Sequence, residues 1–378
     1  MSNRFDFVEL AYEYPLYYPP PKSENYFLYP VLIAKKMNMK PAIFTLRTSH
    51  TPLRRELVDD ISVFRFDSIF SLLRQLVRQS PELVHCHSLG WIPAHSAPLF
   101  SRRSVFTPHT YRLDIYPKWK VKLALLPVTK SNAIVTRTEF EAQQFRSIMQ
   151  APSIHLIPIP IDYDFFTQPR REWRNEIFSR YGLSDEDRVV LCVANLRPVK
   201  NLSTLIRGFA LVKARVSSSK LIIVGDDPAS TLSMLRPIKP KTSHRLELTK
   251  LASALGLKND VVFAGFKSEE ELRKFYAASE VFCMPSRIEG QLLAAGEAAS
   301  AGIPLVLSNL GTLTEIYRCC ALFHDPMDCN KLAEHVVRLL ENQKLAKTLA
   351  NAGRVKMQNY RPSIIYRRQK ELYEKLLS

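Results

Sequence analysis

The stretch PSRIEGQLLAAGEAASAG, beginning at Pro285, holds two glutamates, Glu289 and Glu297, with seven mostly small or apolar residues between them. Carboxylates are costly to bury without partners. The preceding run, EVFCMPS, reads as a strand ending near Ser286. Glu289 is then expected in a loop, with a helix beginning near Gly290 or Gln291. Glu297 is expected about two turns in, on a face interrupted by alanines and Gly296. Small residues let other groups approach a helix closely. Carboxylates so placed suit acceptance of hydrogen bonds from the hydroxyls of a sugar or ribose. The plainer alternative makes Glu289 a helix N-terminal anion and Glu297 a solvated helix residue.

Other residues sit where strands end. VVLCVANL runs into RPVKN, which puts Arg197 and Lys200 at a strand end or first helical turn, with Asn201 near the cap. Backbone N–H groups at a helix start favour anions and two cations add to that, so a diphosphate fits. Two solvated surface cations are the alternative. LIIVGDDP ends with Asp226 and Asp227. Such a pair could take a divalent cation, but before Pro228 a turn or helix-cap role is the preferred reading. ELVHCHS and FTPHT place His85, His87 and His109 close to two further strand ends.

These residues are positioned by a repeating pattern. Apolar runs such as FDFVELA, KPAIFTLRT, ELVHCHS and SNAIVTRT alternate with helical segments such as SIFSLLRQLVRQS. Continuous apolar strands each followed by a helix indicate a parallel sheet covered on both faces. The polar segment YDFFTQPRREWRNEIFSRYGLSDEDR reads as a linker, after which the alternation starts again at VVLCVANL. The fold class expected is α/β, with two Rossmann-like doubly wound domains facing across a cleft. Residues 1–165 and 166–360 form the domains, and 361–378 a helix crossing back to the first. Open parallel sheets bind ligands at the carboxyl ends of their strands.

The chain has 378 residues and a net charge of +17, too long for one ordinary core. Both halves are basic: 20 Lys and Arg against 14 Asp and Glu up to residue 165, and 33 against 22 beyond. That balance suits anionic substrates, an anionic membrane surface or nucleic acid. A nucleic-acid partner is not expected, because no recognised motif for one is present. The six cysteines include no CxxC pair, which argues against a zinc site and fits a reducing cytoplasm. No stretch approaches a membrane span, and MSNRFDFVELAYEY lacks a signal-type apolar core. YPKWKVKLALL sets Lys118, Trp119, Lys120 and Lys122 beside an apolar run, a composition suited to anionic lipid headgroups or to an ordinary amphipathic helix.

From VVLCVANLRPVKN to GTLTEIY the chain resembles the donor-binding domain of GT-B glycosyltransferases, specifically the large retaining glycosyltransferase family 4, or glycosyl transferases group 1. The resemblance covers nearly the whole chain and weakens before about Glu82. The family's E-x7-E motif falls on Glu289 and Glu297, its basic motif on NLRPVKN, and its approach to the motif on VVFAGFKSEEELRKFYAASEVFCMPS. By position, the resemblance implies that Lys200 holds the donor diphosphate. Glu289 contacts donor sugar hydroxyls with the amides of Gly290, Gln291, Leu292 and Leu293, and Glu297 holds the ribose. Gly265 and Phe266 lie near the base. Asn195 stands where the family usually has Arg, and Arg197 is taken to replace that cation. Gly290-Gln291-Leu292 stands where Gly-Phe-Gly is usual.

The resemblance also implies an acceptor-binding N-terminal domain. His109 is placed beside the reacting sugar and His87 along the acceptor side. The loop YEYPLYYPPPKSENYFLYP replaces a glycine-rich turn, with Tyr14 and Tyr17 as candidate acceptor contacts. The function implied is retaining transfer of a hexose from a nucleotide diphosphate sugar, GDP-mannose or a UDP-hexose, to a hydroxyl acceptor. That acceptor is a glycolipid, lipid-linked or polysaccharide glycan. Lys200, Glu289 and His109 carry the chemistry. No metal or other cofactor is expected; the nucleotide sugar is a co-substrate. The expected setting is cytoplasmic, with peripheral contact at an anionic membrane. The alternative is a catalytically weak nucleotide-sugar-binding protein of the same fold.

Overall fold

The computed structural model describes residues 4–11, 28–47, 54–58, 60–87, 96–109, 113, 117–150, 152–167, 170–227, 232–233, 236–237 and 243–378. The chain divides into two compact units, Met1–Pro160 with Pro362–Ser378, and Ile161–Arg361.

The first unit is built on eight strands: β1 Phe7–Leu10, β2 Pro41–Leu46, β3 Arg55–Val58, β4 Ile61–Phe66, β5 Leu83–His87, β6 Ser104–Thr107, β7 Ala133–Thr136 and β8 Ser153–Leu156. They run in the order β3-β4-β2-β1-β5-β6-β7-β8. All neighbours are parallel except β3 and β4. That antiparallel edge pair is absent from the sequence reading, because RRELVDDISVFRF carries charges through both strands. The central strands are buried end to end, and alternate side chains serve opposite faces. Val8, Leu10, Phe44, Cys86 and Phe106 pack with Leu72 and Leu76 of helix Ile69–Gln79 and Phe145 of helix Glu139–Ile148. On the other face Phe7, Ile43, Val63 and Val105 pack with Val31 of helix Leu28–Lys36. Ile365, Leu372 and Tyr373 of helix Pro362–Leu377 join the same cluster.

The second unit holds β9 Arg188–Val193, β10 Ser219–Val224, a two-stranded antiparallel pair β11 Leu232–Ser233 and β12 Arg236–Pro237, then β13 Val261–Gly265, β14 Val281–Met284, β15 Leu305–Ser308 and β16 Ala321–His324. Its parallel sheet has the order β13-β10-β9-β14-β15-β16. Both main sheets are therefore doubly wound, and strand order reverses between β1 and β5 in the first and between β9 and β14 in the second. Gly225, just past β10, fixes the backbone here. Its φ is +132°, and a Cβ would lie 1.9 Å from the carbonyl oxygen of Ala194, so only glycine fits.

Candidate active site

In the second unit the residues meet just beyond the reversal point. The loop after β9 brings Lys200 Nζ within 2.6 Å of Glu289 Oε1 in the loop after β14. The Ser286 hydroxyl donates to the same oxygen at 2.6 Å. Glu289 is 8% exposed, so this partnership answers the cost of burying a carboxylate. An ammonium has three donors, and one spent on Glu289 leaves capacity for an anion. The two loops are tied together: Arg287 N–H donates to the Val199 carbonyl at 2.9 Å. Asn201, in the left-handed region at φ +56°, donates to the carbonyls of Pro285 and Pro326 at 3.1 and 2.6 Å. Its side chain is a cross-loop tie and does not cap the helix that follows.

The helix bearing Glu297 spans Leu293–Ala301, so it starts later than the spacing predicts, and Glu297 lies one turn in. The cause is Leu292, whose φ of +56° is left-handed and interrupts any helix from Gly290. Side-chain hydroxyls reach the carbonyls of this segment. The Thr312 hydroxyl donates to the Glu289 carbonyl at 2.9 Å, and the Tyr317 hydroxyl lies 2.9 and 3.0 Å from those of Gln291 and Leu292. Gly290, Gln291 and Leu292 are buried and Leu293 half-buried.

Glu297 is not a solvated helix residue. It is buried and accepts a 2.7 Å hydrogen bond from the Tyr276 hydroxyl. Burial pushes its carboxyl up to about 7, against the lowering effect of that bond. The small residues around it also serve a different end from the one expected. A Cβ on Gly296 would meet the Ile161 side chain at 2.8 Å, and Gly353 lies against Ala299. They admit the unit's own side chains, so ligand approach needs no credit from them.

The remaining predicted residues lie further out. Asn195 and Arg197 are exposed, and among the described residues no hydrogen bond or ion pair joins either side chain to Glu289. Gly265 ends β13 at φ +73° and accepts the Gly225 N–H at 2.9 Å; Phe266 is 71% exposed. Asp226 pairs with Arg245 at 3.1 Å, and Asp227 accepts from the Ser243 hydroxyl and the Arg245 N–H. Asp227 thus accepts at the start of helix His244–Ala254 and Asp226 makes an ion pair; no group of metal-binding side chains occurs among the described residues.

In the first unit a polar chain crosses the sheet at its own reversal point. Glu9 of β1 is fully buried, with Oε1 3.4 Å from His87 Nε2. His87 Nδ1 lies 2.7 Å from His109 Nε2. His85 contacts Tyr373 through Nδ1 at 2.5 Å and Thr107 through Nε2 at 2.8 Å. Burial raises the Glu9 carboxyl well above its usual range. It lowers His85 to about 3 and His87 well below normal, with neighbouring imidazoles adding to the second shift. Each of these shifts favours the uncharged form. His109, half-buried and at φ +50°, is the outer member of the polar chain; burial and then the Arg137 guanidinium hold it unprotonated. Tyr14 and Tyr17 lie outside the described residues.

Sequence reasoning missed Glu9, Ser286, Tyr276 and Tyr317. Glu9 was visible as a charge inside the apolar run FDFVELA. The tyrosines looked like ordinary core residues, and nothing in their spacing singles them out.

A doubly wound unit with a cation and a carboxylate at the strand reversal has polar groups where open parallel sheets bind ligands. The family model described as Glycosyl transferases group 1 matches residues 174–356, and that of Glycosyltransferase Family 4 matches residues 27–165. The chain belongs to this GT-B glycosyltransferase family.

A GDP-mannose-dependent alpha-(1-6)-phosphatidylinositol monomannoside mannosyltransferase of Mycobacterium tuberculosis is 28% identical over 254 residues, 62% of each chain. Mannosylfructose-phosphate synthase of Agrobacterium fabrum is 25% identical over 289 residues, 74% of this chain and 60% of its own. The chain thus spans less than two thirds of the length of these curated relatives. Among solved structures, sucrose-phosphate synthase from Thermosynechococcus elongatus superposes with a TM-score of 0.80 at 20% identity, covering 99% of both chains. Anabaena HepE in complex with UDP and glucose gives 0.77 at 17%, covering 99% of this chain and all of its own. Both share the fold.

Proposed function

We propose that the chain is a retaining glycosyltransferase that moves a hexose from a nucleotide diphosphate sugar to a hydroxyl acceptor. The observation that carries this reading is the Lys200–Glu289 pair, held at 2.6 Å where the second sheet reverses order. Lys200 binds the donor diphosphate and stabilises charge on the departing phosphate. Glu289 and the amides from Gly290 to Leu293 take the sugar hydroxyls. Glu297 takes the ribose hydroxyls, and Gly265 with Phe266 lies against the base. The bond from the anomeric carbon to the phosphate oxygen breaks. The acceptor oxygen bonds to the same face of that carbon, and its proton passes to the leaving phosphate. His109 is assigned beside the reacting sugar and His87 to the acceptor side.

GDP-mannose and UDP-hexoses are both retained as donors. The mannosyltransferase relative is named for the first, and HepE is described with UDP and glucose. The acceptor is a glycolipid, lipid-linked or polysaccharide glycan, in a cytoplasmic setting. Leu292 at positive φ, where the family usually has glycine, favours the second reading of a weak enzyme that still binds nucleotide sugars. Release of nucleotide diphosphate from UDP- and GDP-sugars separates the two. Turnover that falls at least about a hundredfold in Lys200→Ala and in Glu289→Ala supports transfer, since lost charge stabilisation of this kind is worth a few kcal/mol. Nucleotide binding without turnover supports the second reading.

A further inference from the structure

Helix Lys118–Leu125 has two apolar faces. Val121 and Leu125 are buried against the first unit, as is Val128 in the turn that follows. Trp119, Leu123 and Leu126 are 66%, 66% and 60% exposed. At 100° per residue the two sets lie on opposite sides of the helix, roughly 160° apart. The buried set packs into the unit's core, and the exposed set faces away from it.

The exposed set is enlarged by a neighbour. The turn Ala97–Leu99 packs on Pro127–Lys130, and it carries Leu99 at 54% exposure, followed by Phe100 at 45%. Basic side chains border this surface: Lys118, Lys120, Lys122, Lys130 and Arg102 are all exposed. Lys120 and Lys122 fall on either side of the apolar stripe by helical angle. From Pro117 to Lys130 there is no acidic residue. Scattered exposed apolar residues need no explanation, but a contiguous stripe on one helix face does.

We propose that this face docks on an anionic lipid bilayer, Trp119, Leu123 and Leu126 entering the headgroup region and the lysines meeting lipid phosphates. A Trp belongs at that depth, its ring apolar and its N–H wet. Lysines reach back to the phosphates on flexible stems. The run of basic side chains along this helix complements an anionic surface. The proposal stands apart from the reading of the reaction, because it concerns a surface that contains none of the residues given catalytic or donor-binding roles.

Vesicle flotation tests it, using phosphatidylcholine vesicles with and without about 30% phosphatidylglycerol, whose anionic headgroups attract basic side chains. A chain of net charge +17 is drawn to any anionic surface, so attraction alone decides nothing. The variant W119S/L123S keeps every charge and is expected to weaken binding at least about tenfold, the worth of the lost apolar burial. K120E/K122E is expected to weaken binding more than K344E/K347E, which makes the same charge change on an exposed helix of the second unit. Unchanged melting temperatures confirm that the variants fold. Equal binding of W119S/L123S and the parent chain overturns the proposal. So does a parent chain that fails to float with anionic vesicles but sediments as a dimer that W119S/L123S dissociates.

Discussion

Glu297 combines two demands in one side chain. Its carboxyl is buried, accepts the Tyr276 hydroxyl and is raised to about 7 from 4.5. A folded pKa above the unfolded one contributes stability below the unfolded value, and that contribution is lost as pH rises through the folded value. The second unit is therefore expected to lose stability between pH 4.5 and about 7 through this group, by about 3 kcal/mol at the conversion of 1.36 kcal/mol per pH unit. Glu297→Gln carries no such charge. Chemical denaturation is expected to show the variant equal to the parent at pH 5 and more stable by a few kcal/mol at pH 8. The same substitution should weaken nucleotide-sugar binding, because an amide is a poorer acceptor for ribose hydroxyls. Equal pH dependence in variant and parent would show that Glu297 carries little proton penalty. In the first unit the sign reverses for His85, which is lowered to about 3: its contribution is complete above pH 6.5 and is lost as pH falls.

At the scale of elements, the loop between β14 and helix Leu293–Ala301 depends on Tyr317, which is buried and reaches the carbonyls of Gln291 and Leu292. Tyr317→Phe removes that donor without changing the ring, and a loss of about 1 kcal/mol is expected from the missing hydroxyl bonds, the Leu292 carbonyl keeping the N–H of Ala295. If the loop cradles donor, the donor KM should rise in the same variant, measured by initial rates against thermal unfolding. Much of this geometry was legible beforehand. Continuous apolar runs such as VVLCVANL and EVFCMPS announced parallel strands, and residues just past them, Lys200 and Glu289, proved to be partners. What remained hidden depended on contacts far apart in sequence. Leu292 has no turn signature, yet it is left-handed, and the Tyr317 hydroxyl, 25 residues on, donates to its carbonyl. Gly296 reads as room for a ligand until Ile161 is seen against it. Periodicity reports which face is buried; it does not report what covers that face.

At the scale of the whole molecule, the chain closes its first unit with residues from its far end. Tyr373 is fully buried, its ring 5.5 Å from that of Phe7 and its hydroxyl on His85. Tyr373→Ala is expected to destabilise the first unit by about 3–5 kcal/mol through the cavity it leaves. Calorimetry should register this in one transition, while the transition that responds to nucleotide stays in place. A uniform shift of both would show that the units unfold as one.

The central claim is a nucleotide-sugar site at the reversal between β9 and β14. Thermal unfolding with UDP-, GDP- and ADP-sugars tests it most directly. A ligand at a hundred times its Kd adds about 2.7 kcal/mol to the folded state. At least one of these sugars is expected to raise the melting temperature of the parent chain by several degrees. The rise should vanish in Lys200→Ala and in K200A/E289Q, the second of which leaves no unpaired buried charge. No shift with any of the three, or an equal shift with and without Lys200, would contradict the assignment.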